Sequence, residues 1–262
     1  GSEMCIRDRI LSNSEQRFLD YKSIASKGET FRRIIEEKTA ILDIGGGSIQ
    51  ISLFDKDTLV STQNLRLGVL RLQELLNHLN AGSTQMEQLV DELATAQLDD
   101  YKKLYLKDRE IKNIIIVDDY LSPWAVRKAH ERGDGNAMVD SKAFYQLMEA
   151  LRTRGTTELA KRMDIAEEKV PLVYISAILT RRIAELMGAE LVWAPGVTLC
   201  DGIAYEYAEQ NKMFRGEHDF AEDIIACALN ISKRYNGSSK RADTLEPVSY
   251  THLRAHETCA DL

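Results

Sequence analysis

The chain has 262 residues, with 34 Lys and Arg against 41 Asp and Glu, a formal net charge of −7 and 44% hydrophobic residues. Both signs of charge are interspersed, which argues against a nucleic-acid surface held by bulk charge; an anionic ligand would have to be held by local N–H groups, cations or a metal. Two of the four cysteines lie near the chain ends, leaving Cys200 and Cys227, too few for a disulfide framework or a zinc site; no apolar run reaches membrane-spanning length and no signal peptide is visible, so a globular protein of a reducing, cytoplasmic compartment is expected.

In chain order, Gly1–Arg9 back-translates to a sequence resembling a transposase adapter used to prepare sequencing libraries, and Val248–Thr258 to the same adapter in the opposite sense. Residues 1–9 and 247–262 are therefore expected to be adapter-derived, and Ile10–Glu246 a native stretch cut from a longer protein at both ends. Ser12–Ile24 has helical spacing, with Ser12 or Ser14 as N-cap, Glu15 near the first turn and Gly28 as the stop. Glu29–Lys38 is charged and reads as a connection. Ala40–Ile44 is an apolar run of strand length, followed by Gly45, Gly46, Gly47 and Ser48, and then by Ile49–Phe54 with period-2 alternation.

A third strand is predicted over Leu59–Leu65, past a turn around Asp55–Asp57, and a helix from Gly68 through Leu79. One long helix is predicted over Thr84–Leu106. Ile111–Val117, an unbroken β-branched run, is the clearest buried strand and suits a parallel central position. From Ser122 to Met187 the pattern is helical throughout: Pro123–Glu131, Ser141–Arg152, Thr156–Met163 and Pro171–Met187, the last stopped by Gly188. Glu190–Ala194 is a further strand, and helices follow from Asp201 or Gly202 to Glu209 and over Asp219–Tyr235. Three strands leading into β-α-β-α make a mixed sheet with helices on its faces, an α/β layer architecture.

The strand–Gly-turn–strand unit is the chemically suggestive part. A P-loop or dinucleotide fingerprint would run from strand into helix, and neither GKS/GKT nor GxGxxG spacing is present. Three consecutive glycines open the backbone to positive φ and clear every Cβ from the turn. An anionic oxygen could then approach free N–H groups, with the Ser48 hydroxyl adding a donor and Asp43 holding a divalent cation through water. The plainer alternative is an ordinary Gly-rich hairpin.

Asp43-Ile44-Gly45-Gly46-Gly47-Ser48, the element order, and Leu67-Gly68-Val69-Leu70-Arg71-Leu72 after the third strand together resemble the exopolyphosphatase / guanosine-pentaphosphate phosphohydrolase (Ppx/GppA) family. That family belongs to the actin–hexokinase–Hsp70-like superfamily. The resemblance spans about residues 10–235 and implies a ribonuclease-H-like (actin-like ATPase) β-β-β-α-β-α-β-α fold with the first lobe missing. Residues 10–39 would end that lobe, 40–210 form the second phosphatase lobe, and 211–246 begin a helical C-terminal region. It further implies hydrolysis of terminal phosphates from inorganic polyphosphate or guanosine pentaphosphate, assisted by Mg2+ at Asp43. Glu15 would be the catalytic base, and Gly45, Gly46, Gly47, Ser48, Gln50, Gly68 and Arg71 the phosphate-binding residues. No nucleic acid or membrane partner is implied, and a homodimer of the full-length parent is an option. Arg71 could equally pair on the helix surface, and Glu15 could be a solvated helix-start carboxylate.

Three departures bear on activity. Gln50 stands where the family has glutamate, and an amide neither accepts a proton nor balances a metal's charge. Asp118-Asp119-Tyr120 replaces a Gly-Gly pair, unless those acids are strand-end turn residues. Cys200-Asp201-Gly202 replaces Arg-Glu-Gly, losing a cation. A non-catalytic binder of polyphosphate or an alarmone is therefore the alternative, and the chain as given is expected to be inactive for want of half the cleft. His218-Asp219 is the one adjacent His-Asp pair of the native stretch, read as a helix start rather than a metal motif.

Overall fold

The computed structural model describes residues 10–237 apart from 57, 80–82, 134–136, 140, 215, 217 and 219. The adapter-like ends and Asp219 lie outside the described residues. Six strands form one mixed sheet in the order β3-β2-β1-β4-β6-β5. These are β1 (Thr39–Ile44), β2 (Ile49–Asp55), β3 (Thr58–Leu65), β4 (Asn113–Asp118), β5 (Met138–Val139) and β6 (Leu191–Trp193). β1 runs antiparallel to β2 and parallel to β4, β2 antiparallel to β3, β4 parallel to β6, and β5 antiparallel to β6.

Alternation along the strands divides the core between two faces. Ala40, Leu42, Ile44, Ile49, Ile51, Leu53, Ile114 and Ile116 point to one face. There they meet α3 (Val69–His78), α4 (Ser83–Tyr101) and α8 (Val170–Met187). Ile41, Phe54, Ile115, Val117 and Trp193 point to the other, covered by α1 (Asn13–Ala25), α2 (Glu29–Ile35) and α10 (Phe220–Arg234). Both faces being covered explains why β2 is buried along its length save for Asp55, although its sequence alternates like a half-exposed strand. The remaining helices are α5 (Ser122–Glu131), α6 (Ser141–Thr153), α7 (Thr156–Met163) and α9 (Leu199–Gln210).

Several expectations need correction. Glu29–Lys38 is not simply a connection: α2 occupies Glu29–Ile35 and buries Phe31, Ile34 and Ile35, apolar positions three and four apart that surrounding charges disguised. Gly28 does not stop α1, which ends at Ala25; with φ 55° it precedes α2 instead. Ser122–Met187 is not wholly helical, because β5 adds two residues to the sheet edge, a piece too short to carry any periodicity. The predicted helix over Thr84–Leu106 changes to a π-helical turn at Lys102–Leu106. Gly188 does stop α8, in the left-handed conformation (φ 69°, ψ 28°).

Two contacts seat the terminal helices. A Cβ on Gly202 of α9 would overlap the carbonyl oxygen of Leu19 on α1, so the two helices touch backbone to backbone. Lys22 spans the same seam to Glu209 (2.9 Å) and Glu206 (3.3 Å). α10 lies against β3: Asp223 accepts the Leu59 N–H at 2.9 Å and meets His218 Nε2 at 2.6 Å, while Asn230 donates to the Val60 carbonyl at 3.1 Å.

Candidate phosphate site at the ends of two parallel strands

β1 and β4 are adjacent and parallel, and their carboxyl ends open at Gly45 and Asp119; ligands of α/β sheets gather at such ends. The glycine turn is set by its contact with α3. Gly45 and Gly46 carbonyls accept the N–H groups of Val69 (3.0 Å) and Arg71 (3.1 Å), satisfying two of the donors that a helix start leaves over. With those carbonyls committed to α3, the N–H groups of Gly46, Gly47 and Ser48 have no acceptor among the described residues, and Gly47 is exposed. The turn is thus an open row of donors rather than a closed hairpin.

The reason for glycine here differs from the one expected. None of Gly45, Gly46 and Gly47 has positive φ. Space is what matters. A Cβ on Gly68 would overlap the backbone of Gly46, Gly47 and Ser48, so α3 can dock on the turn only with glycine at its N-cap. A Cβ on Gly46 would come within 2.7 Å of Leu70, whereas one on Gly47 would meet nothing within 4 Å. Arg71 is exposed and donates from Nε to the Gly47 carbonyl at 3.3 Å, so its guanidinium lies at the turn. Ser48 Oγ accepts from Asn64 Nδ2 at 3.1 Å, a residue of β3 that carried no motif.

Beside the turn lies a polar patch under α1. Asp43 faces the same side of the sheet as Ile41 and pairs in register with Gln50 of β2. Gln50 is buried and donates to Tyr21 Oη at 3.5 Å; Tyr21 in turn meets Ser52 Oγ at 2.5 Å, and Ser52 meets Thr62 at 3.0 Å. Arg17, Asp20 and Tyr21 share one stripe of α1, at the three- and four-residue spacings of a helix face. Sequence reasoning passed over Arg17 and Asp20, although their spacing relative to Tyr21 was readable; what was not readable is that this stripe faces Asp43.

The electrostatics are those of crowded acids. Burial, then the charges of Asp43 and Asp119, push the Asp20 carboxyl up to about 7. Burial raises Asp43 to about 6; Arg17 opposes the rise, while Asp118 and Asp119 add to it. Asp20 is 5% exposed, and its Oδ2 has no hydrogen-bond partner. Asp118 differs. It accepts the N–H groups of Leu121 (2.8 Å) and Ser122 (2.6 Å) and the Ser176 hydroxyl (2.7 Å), so it caps α5, in keeping with the strand-end turn reading. Asp119 is exposed.

Glu15 sits in the first turn of α1, at the N3 position of a capping box with Ser12. Its Oε2 accepts the Ser12 N–H at 2.8 Å, and Ser12 Oγ accepts the Glu15 N–H at 3.2 Å. It shares a stripe with Leu19 and Lys22, which face α9, about half a turn around the helix from Arg17, Asp20 and Tyr21. Asp201 is likewise the acid of a capping box, with Thr198. Gly45 to Ser48, Gly68 and Arg71 therefore come together in one place, Asp43 and Gln50 border it on the α1 side, and Glu15 is engaged at its helix start.

A divalent cation fits this chemistry. Asp43 is an acid among like charges that Arg17 offsets only in part, and Asp20 nearby has a buried carboxylate oxygen with no hydrogen-bond partner. Among the described residues no three Asp, Glu, His or Cys side chains converge on one metal position. Mg2+ that keeps waters and phosphate oxygens in its shell needs only one or two carboxylates. No helix among the described residues is long and apolar enough to cross a membrane.

No protein-family model matches the chain, and no curated protein does. Solved structures do match. A Ppx/GppA family member from Aquifex aeolicus superposes with a TM-score of 0.64 at 11% identity, over 80% of this chain and 67% of its own. The type II variant of the Aquifex aeolicus Ppx/GppA phosphatase gives 0.56 at 12% identity, over 75% and 64%. An exopolyphosphatase from Cytophaga hutchinsonii gives 0.56 at 14% identity, over 74% and 63%. The chain has the fold of these proteins and spans about two thirds of their length or slightly less.

Proposed function

We propose that this chain, built on the fold of the Ppx/GppA proteins, is the phosphate-binding lobe of a phosphoanhydride hydrolase. Its substrate would be the terminal phosphate of inorganic polyphosphate or guanosine pentaphosphate. The observation that carries the reading is the row of open N–H groups at Gly46, Gly47 and Ser48, held by the docking of α3 and flanked by Arg71. Such donors, fixed before the substrate arrives, stabilise the oxygens of a transferring phosphoryl group without reorganising during the reaction.

In this reading the terminal phosphoryl oxygens accept from those N–H groups and from the Ser48 hydroxyl, which Asn64 leaves free to donate by itself donating to Ser48 Oγ. For Glu15 to accept a proton from the water whose oxygen forms the new P–O bond, its carboxylate has to leave the Ser12 N–H and turn from the α9 side of α1 towards the glycine turn. The bridging P–O bond breaks, and its electron pair leaves on the shortened chain. General-base help of this kind contributes ~10²–10⁴-fold. Asp43 would hold Mg2+, which supplies neutralisation of phosphate charge when bound.

The test is phosphate release from polyphosphate, with and without Mg2+, by the product of the complete gene and by its Glu15→Gln variant. Turnover that falls at least about 100-fold in the variant is expected; equal turnover in both overturns Glu15 as the base. A second reading is favoured by Gln50, an amide bonded to Tyr21 where a carboxylate would assist catalysis, and by the capping role of Glu15. It is a protein that binds polyphosphate or an alarmone without cleaving it. Polyphosphate binding without phosphate release would decide for that reading.

A further inference from the structure

We infer that Asp20 is the second carboxylate of a divalent-cation seat shared with Asp43, taking the charge-balancing place that Gln50 leaves empty. The inference rests on the phosphohydrolase reading only for the phosphate that would complete the cation's shell.

The placement comes from α1. Tyr21 is pinned to the sheet by Ser52 Oγ at 2.5 Å and by Gln50 Nε2 at 3.5 Å. Asp20 precedes it on the same inward stripe, over the sheet face on which Asp43 stands in register with Gln50. Asp20 is buried to 5% exposure, and its Oδ2 finds no donor. A buried carboxylate without a partner is strongly unfavourable, so such groups are paired, protonated or bound to a metal.

The surroundings do not supply the pairing. Asp43 and Asp119 face Asp20 with like charge. Arg17, the cation acting on Asp43, has a buried Nε that donates to nothing. Asp118 is satisfied by its own three donors and needs no further cation. Gln50 has turned its amide to Tyr21 and carries no charge. One carboxylate from α1 and one from β1 would make a two-ligand seat, its shell completed by water and by oxygens of an anion on the glycine turn. This matches the lack of a three-ligand cluster among the described residues and the coordination habit of Mg2+.

The experiment is titration of the whole chain with Mn2+ alone, a paramagnetic substitute for Mg2+, following free Mn2+ by electron paramagnetic resonance. The variants are Asp20→Asn, Asp43→Asn and Gln50→Glu, with thermal melting run alongside. Expected are Mn2+ binding by the parent, at least about tenfold weaker binding in Asp20→Asn with an intact melting transition, and tighter binding in Gln50→Glu, since ligand charge sets affinity. If Asp20→Asn melts without a transition, Gln50→Glu decides alone: unchanged affinity there overturns the seat. Parent-like affinity in Asp20→Asn, or no binding by the parent, also overturns it. Because no turnover is read, Mn2+ binding that depends on Asp20 in a protein releasing no phosphate sustains this seat while refuting the hydrolase.

Discussion

Gly68 and Gly47 lie on two sides of one contact, and their substitution should have opposite outcomes. Gly68→Ala forces a Cβ into the backbone of Gly46, Gly47 and Ser48; neither side is a flexible side chain, so a loss of ~2–4 kcal/mol is expected in urea unfolding. Gly47→Ala adds a Cβ to open space at ordinary φ and should change stability by less than ~0.5 kcal/mol. Equal losses in the two would mean that α3 does not dock on the turn as described. Asp20 and Asp43 predict a pH dependence. Their folded-state pKa values, about 7 and about 6, lie above the ordinary carboxylate value, so between about pH 4 and 7 the folded chain binds more protons than the unfolded one. Stability should therefore fall as pH rises through that window, by a few kcal/mol in order of magnitude. The measurement is melting temperature from pH 5 to 8: Asp20→Asn should flatten the slope, and a parent slope of opposite sign would contradict the crowding of these acids. At this scale the motif residues were legible, because Gly45–Ser48, Gly68 and Arg71 do meet. Arg17, Asp20 and Asn64 were not, since nothing in a sequence says which stripe of a helix faces which strand.

At the scale of elements, α1 is the part that brings acids to the sheet, and α9 holds α1. Gly202→Ala would drive a Cβ into the Leu19 carbonyl and should cost ~2–4 kcal/mol while displacing the Asp20 stripe. Lower melting temperature together with weakened Mn2+ binding is the expected pair of results; lost stability with parent-like Mn2+ binding would separate α1 from the seat. α10 is tied to β3 through Asp223, whose two oxygens serve Leu59 and His218. Asp223→Ala strands the Leu59 N–H and removes the 2.6 Å contact of His218 Nε2 in a setting of Phe31, Phe54 and Phe220, for an expected loss of ~2–4 kcal/mol. Hydrogen exchange should rise first in α10 and β3; uniform exchange through the sheet would show that α10 is not so anchored. The strands with strong β-branched runs and the helices with clear caps were legible within a few residues. α2 and β5 were not, the first because charges flank its apolar stripe, the second because two residues carry no pattern.

For the whole molecule, local chemistry wrote the order of elements: apolar runs bounded by glycine made the strands of a mixed sheet, and capped amphipathic stretches made the helices on its two faces. The glycine turn and the α3 junction were likewise present in the sequence, since both are contiguous, and with them a candidate seat for an anion. Tertiary structure decided the rest, because burial and facing are set by residues far apart in the chain. It showed that the glycines answer to a helix packed against them rather than to left-handed backbone, and that Asp118 is spent on capping α5. It also put Asp20 near Asp43, a crowding of acids, offset only in part by Arg17, that only the packing of α1 on the sheet could create.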